Sequence, residues 1–130
     1  MVGNELPENI LHFLDTRLDS VEQLQVLFLL HAEPERIWST AEITAELRSS
    51  DTSITKRLDD LYASKVLVRM PELQGRHRFS PASPEILQIV HLLAELYRTK
   101  PSRVSEAIFS GPNKSLQAFA NAFRRNGAKE

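Results

Sequence analysis

The sequence predicts a mainly α-helical fold with one small β-hairpin near its middle and helices at both ends. Apolar residues recur at three- and four-residue intervals through most of the chain, the period of amphipathic helices. Between residues 66 and 79 that period gives way to a Val-Leu-Val run, a turn holding Pro and Gly, and a basic return, which is the pattern of two short antiparallel strands. Serines stand ahead of several periodic segments, followed three residues later by Glu or Gln or immediately by Pro, and these are helix-start signals. At 130 residues the chain suits a single domain, 1–130, with about 20–80 as its central unit and 84–126 as a helical extension suited to dimerisation.

Pro7 to Leu18 places Ile10, Leu11, Leu14 and Leu18 on one helical face, with Phe13 at its edge. Asp19 or Ser20 caps the next helix, with Glu22 or Gln23 completing the box, and Val21, Leu24, Leu27, Phe28 and His31 mark its buried stripe as far as about Ala32. A loop follows, in which Trp38 plugs the core at a short strand or bend. Ser39 and Glu42 form a capping box before Ile43 and Leu47, a helix of roughly two turns.

After Ser49-Ser50-Asp51 comes a helix over 52–64, whose Ile54, Leu58, Leu61 and Tyr62 face inward. A rotation of about 100° per residue turns Thr52, Ser53, Lys56, Asp59, Asp60 and Ala63 outward. Val66 to Val68 reads as the first strand, Pro71 to Gly75 as the turn and Arg76 to Phe79 as the second strand. Ser83-Pro84 then opens a long helix with Ser at the cap and Pro at the first helical position. Along it run two apolar seams: Ile86, Ile89, Leu93 and Leu96, and beside them Leu87, Val90, Ala94 and Tyr97. The second seam needs a cover, from residues 101–126 or from a second subunit. Two further amphipathic pieces lie beyond, 102–109 with Val104, Ala107 and Ile108, and 113–126 with Leu116, Phe119, Ala120 and Phe123, separated by Gly111-Pro112.

The order helix, short helix, helix, strand, turn, strand, long helix resembles the winged helix-turn-helix regulators and, among them, the MarR-like group. The local likeness lies in Thr55-Lys56-Arg57-Leu58-Asp59-Asp60-Leu61 followed by Lys65-Val66-Leu67-Val68-Arg69, similar to a recognition helix running into the first strand of a wing. It spans about residues 20–80, and the rest is similar to small bacterial winged-helix proteins of unassigned role. The resemblance implies a transcriptional regulator that binds double-stranded DNA as a homodimer. Thr52, Ser53 and Lys56 would meet base edges in the major groove, Arg57 a phosphate, and Arg76, His77 and Arg78 the adjacent backbone or minor groove. The dimer or partner interface would comprise Ile86, Ile89, Leu93, Leu96, Phe119 and Phe123. Two positions depart from the group's pattern: Lys65 stands where a Gly usually ends the recognition helix, and Asp60 stands on the outward face where a basic residue is common. The alternative is a winged-helix module that docks on a protein and binds no DNA.

Charge is distributed unevenly under a net of −1. Residues 1–49 carry three basic and nine acidic side chains, 50–78 six and four, and 98–130 seven and two, so a polyanion would meet the middle and the C-terminal end. With no cysteine there is neither disulfide nor thiolate. The four histidines are scattered, and no Gly-rich phosphate loop or acid–base pair stands out. The reading is therefore a non-enzyme without metal or cofactor. No basic n-region or long apolar run marks a signal peptide or a membrane span, so a cytoplasmic location is expected.

Overall fold

The computed structural model describes residues 6–112 and 114. Among them the fold is all-α, six helices without a β-strand: α1 (Glu8–Arg17), α2 (Val21–Ala32), α3 (Thr40–Leu47), α4 (Asp51–Ala63), α5 (Pro84–Thr99) and α6 (Pro101–Ser110). The serines act as start signals because each hydroxyl accepts an otherwise orphaned first-turn N–H. Ser20 accepts from Gln23 of α2, Ser39 from Glu42 of α3, Ser50 from Ser53 of α4 and Ser83 from Ile86 of α5. At α3 the box is complete, since the Glu42 carboxylate returns to the Ser39 N–H at 2.9 Å. Pro101 ends α5 and opens α6, as a residue without an N–H must.

The helices form two groups. α2, α3 and α4 pack on one another, and α1 packs with α5 and α6, bringing the two ends of the described chain together. One core runs through both groups: Trp38, Ile43, Ile54, Leu58 and Leu61 continue into Leu24, Leu27 and Leu30, then into Ile10, Leu14, Val90, Leu93 and Ile108. The Phe28 ring meets Tyr97 at 5.3 Å between centroids, tying α2 to α5. Close packing of this kind dominates the stability of a small domain.

The expected hairpin strands do not form among the described residues. In their place stand two isolated antiparallel bridges, Trp38 with His77 and Leu67 with Pro81, and a single 3₁₀ turn at Pro71–Leu73. The register also differs from the one expected. Residues 66–68 pair with 80–82, through Val68 N–H to Ser80 O at 2.9 Å and Ala82 N–H to Val66 O at 3.1 Å, while residue 77 pairs with Trp38 at 2.7 Å in both directions. Leu67 and Pro81 are the non-hydrogen-bonded pair between these two bonds, so the Pro81 nitrogen, which brings no N–H, faces away from residues 66–68. The chain still doubles back tightly. Arg76 N–H bonds Leu73 O at 3.1 Å, and the two residues between, Gln74 and Gly75, both have positive φ, the sense of a type I′ hairpin turn.

Two of the proposed interface residues are consumed by the subunit itself. Ile86 and Leu93 are buried in the core, and Ile89 and Leu96 are half-buried beside it. Within the chain α5 packs on α1 and α6, and of the first seam Ile89 and Leu96 stay partly exposed. Phe119 and Phe123 lie outside the described residues.

Candidate functional site

The residues singled out from sequence gather around α4, and the three-residue turn before it sets their placement. Arg48 adopts the left-handed conformation and donates to Ala45 O and Thr44 O, closing α3. Ser49 N–H adds a bond to Thr44 O at 3.0 Å. The turn then delivers Ser50 as the cap of α4, so that α4 sets off in a new direction across α2 and α3.

One carboxylate locks this arrangement. Glu22, on the first turn of α2, accepts from Ser49 Oγ at 2.6 Å, from Ser53 Oγ, and from Arg57 Nε at 2.9 Å. The hydroxyls of Ser49 and Ser53, with the Arg57 guanidinium, hold the Glu22 carboxyl below the usual carboxylate range, against an opposing effect of burial. Ser53 and Arg57, expected to meet DNA, therefore serve inside the molecule as donors to Glu22. The sequence reading offered Glu22 or Gln23 for the capping box of α2; Gln23 makes those cap bonds, and Glu22 turns instead to α4.

Thr52, Thr55 and Lys56 are exposed along the N-terminal half of α4. The two outward acids are each engaged by a cation. Lys56 Nζ lies 3.4 Å from Asp60, and Arg69 Nη2 lies 2.8 Å from Asp59. Arg69 also stacks over Tyr62, its Cζ 4.3 Å from the ring centroid. It reaches across from residues 66–82, the return segment, and clamps that segment to α4.

On the return segment the three basic residues separate. Arg76 is exposed, and Arg78 is half-buried with a nitrogen 3.5 Å from Met70 Sδ. His77 corrects the expectation of a nucleic-acid contact: it is buried, its Nδ1 is 2.7 Å from the Tyr62 hydroxyl, and its Nε2 is 3.4 Å from Thr40 Oγ1. The reason is the alternation of an extended chain. His77 and Phe79 share the buried side, Arg76 and Arg78 the other. Burial, with the nearby Arg69 adding to it, pushes the His77 imidazole below its ordinary value, and burial raises the Tyr62 phenol.

Tyr62, Arg69, Gly75 and Arg76 line a half-open recess of about 290 Å³ between α4 and the return. A larger recess, about 410 Å³, lies at the other end of the molecule between α1 and α6, lined by Leu11, Ala107 and Pro112 among others. Its polar lining is Glu8, His12, Asp15 and Ser110. At the junction of α2 and α5, His31 Nε2 and His91 Nδ1 are 2.8 Å apart, and burial, then the facing His91, lowers the His31 imidazole. Among the described residues no three His, Cys, Asp or Glu side chains are grouped as a metal site, and no helix is long and apolar enough to cross a membrane.

No family model matches this sequence, no curated protein matches it, and no solved structure matches its fold at a significant level.

Proposed function

We propose that the chain is a cytoplasmic DNA-binding transcriptional regulator that reads duplex DNA through α4. The observation that carries this reading is the packing of α2, α3 and α4 around the turn Arg48–Ser50. Two helices joined so shortly are the frame of a helix-turn-helix, in which the second helix enters the major groove and its first turns meet the bases. That half of α4 leaves Thr52, Thr55 and Lys56 exposed, small polar and basic side chains of the kind base edges and phosphates accept. In this reading the return 66–82 takes the place of a full wing, as in a reduced winged helix-turn-helix of the MarR-like kind, and Arg76 and Arg78 flank the duplex. A homodimer would present two such helices to paired half-sites. α5 leaves Leu92 exposed beside the half-buried Ile89 and Leu96 for that contact.

Fluorescence anisotropy of a labelled duplex, titrated at several salt concentrations, tests the reading. Affinity should fall linearly with salt on logarithmic axes, by a slope near −0.9 for each phosphate neutralised. Lys56→Ala should weaken binding without altering the melt, and Asp60→Lys should strengthen it. Absence of binding at low salt would retire the proposal.

A protein-docking role is the second reading, and the outer face of α4 favours it. Asp59 and Asp60 stand there with Arg69 and Lys56 already engaged, so the face offers paired charges rather than a basic stripe. Such a face suits a partner of mixed charge.

A further inference from the structure

We infer that the recess between α4 and the return segment is an oxyanion site that takes one phosphate group, with Arg69 and Arg76 as its donors. Both arginines line the recess, and among the described residues no carboxylate does. Each guanidinium keeps donors in hand. Arg69 gives one nitrogen to Asp59, and Arg76 gives its Nε–H to Leu73 O at 3.3 Å, whereas a guanidinium carries five N–H groups in a planar fork that matches phosphate oxygens. Arg69 is already held in place by Asp59 and by the Tyr62 ring at 4.3 Å, so little of its freedom remains to be lost on binding.

Gly75 also lines the recess. Gly75 has φ +84, and a Cβ built on it would meet nothing within 4 Å. The chain there is bare, so an anion can approach the Gly75 main chain closely, the Arg76 N–H being already given to Leu73 O. At about 290 Å³ the recess exceeds a bare phosphate, leaving space for the first carbons of an ester. A phosphate ester in free solution and a backbone phosphate of DNA share this chemistry. The site does not depend on the DNA reading, since a free phosphate would occupy it as well.

The test is a titration of the ¹⁵N-labelled full chain with sodium phosphate, followed by NMR at the Gly75 and Arg76 amides and the arginine Nε–H signals. Sodium chloride of equal ionic strength is the reference. The expected result is a saturable response to phosphate alone, with a dissociation constant on the order of a millimolar. Arg76→Ala should weaken it at least tenfold, Arg76→Lys less, and Arg98→Ala on the far side of α5 not at all. Arg76 is exposed, so circular dichroism should find the Arg76 variants folded. Shifts that rise without saturating, that chloride reproduces, or that survive Arg76→Ala would overturn the site.

A labelled duplex then separates the two sources. If DNA supplies the phosphate, inorganic phosphate competes with the duplex and Arg76→Ala lowers the salt slope by about one contact. If a free ester supplies it, Arg76→Ala removes phosphate binding and leaves any DNA affinity unchanged. Saturable phosphate binding in a protein that ignores DNA retires the DNA reading and keeps the site. DNA binding without phosphate saturation does the reverse.

Discussion

The molecule is pinned at two joints by polar clasps of opposite sign. Where α2 meets α4, three donors converge on the single carboxylate of Glu22. Where α1 meets α6, a single ammonium converges on three carbonyls: Lys114 Nζ bonds Leu14 O at 3.1 Å, Leu18 O at 2.5 Å and Ile108 O at 2.6 Å. Its own N–H adds a bond to Asp15 Oδ1 at 3.2 Å. The first clasp joins side chains and so fixes how one helix sits against another. The second joins main-chain ends and so closes α1 and α6, whose last carbonyls have no partner within the helix. One orients, the other terminates, and substitution should expose the difference.

Glu22→Ala should have the largest effect. It strands Ser49, Ser53 and Arg57 together, and the loss of a charged acceptor shared by three donors costs about 2–3 kcal/mol in urea unfolding. Because the carboxyl is held below its ordinary value of 4.5, its contribution is present above that pH and is lost as pH falls through the lower folded value. The variant should therefore lose less stability on acidification than the parent.

Gly111→Ala should follow, at about 2 kcal/mol, since the added methyl forces a close-packed joint apart. A Cβ there would sit 2.7 Å from Asp15 Cβ and closer still to its carboxyl group. This change should leave α4 and any DNA affinity untouched, whereas Glu22→Ala disturbs both. Equal effects of the two on α4, read from its amide exchange, would refute the division of roles.

Histidine titration is expected to act next. His31 and His77 both have imidazoles below the ordinary 6.5, so just under that pH the unfolded chain binds more protons than the folded one, and stability drops as pH falls. The melting midpoint should decline from about pH 7 to about pH 5, and His31→Asn should flatten part of that decline. Lys65→Gly should have the smallest effect and the opposite sign. Lys65 closes α4 with φ 64, where a side chain is strained, and Gly should stabilise by about 0.5–1 kcal/mol.

That last residue illustrates what the sequence could tell. The backbone conformation at 65 is the one glycine favours, although a lysine occupies it. Helix starts were equally legible, because a serine cap is a local hydrogen bond between residues three apart. The pairing of 66–82 was not, since register depends on which distant backbone offers partners, and here Trp38, in another part of the chain, takes the place opposite His77. The burial of His77 could have been read from Arg76-His77-Arg78-Phe79, where strict alternation sets His with Phe. The roles of Arg69 and Glu22 as clasps between distant segments were not legible for one reason. Their partners, Asp59, Ser49, Ser53 and Arg57, lie ten or more residues away, and nothing local marks them.

Pro81 has a consequence beyond its bridge to Leu67. A free strand edge is a template on which another chain can align its own backbone, and apolar edges invite it most. Val68, beside this edge, is an exposed large apolar residue. With proline opposite Leu67, the outward edge of residues 80–82 lacks a donor at the point where a foreign strand would begin to pair, and that missing N–H guards the protein against β-mediated aggregation at high concentration.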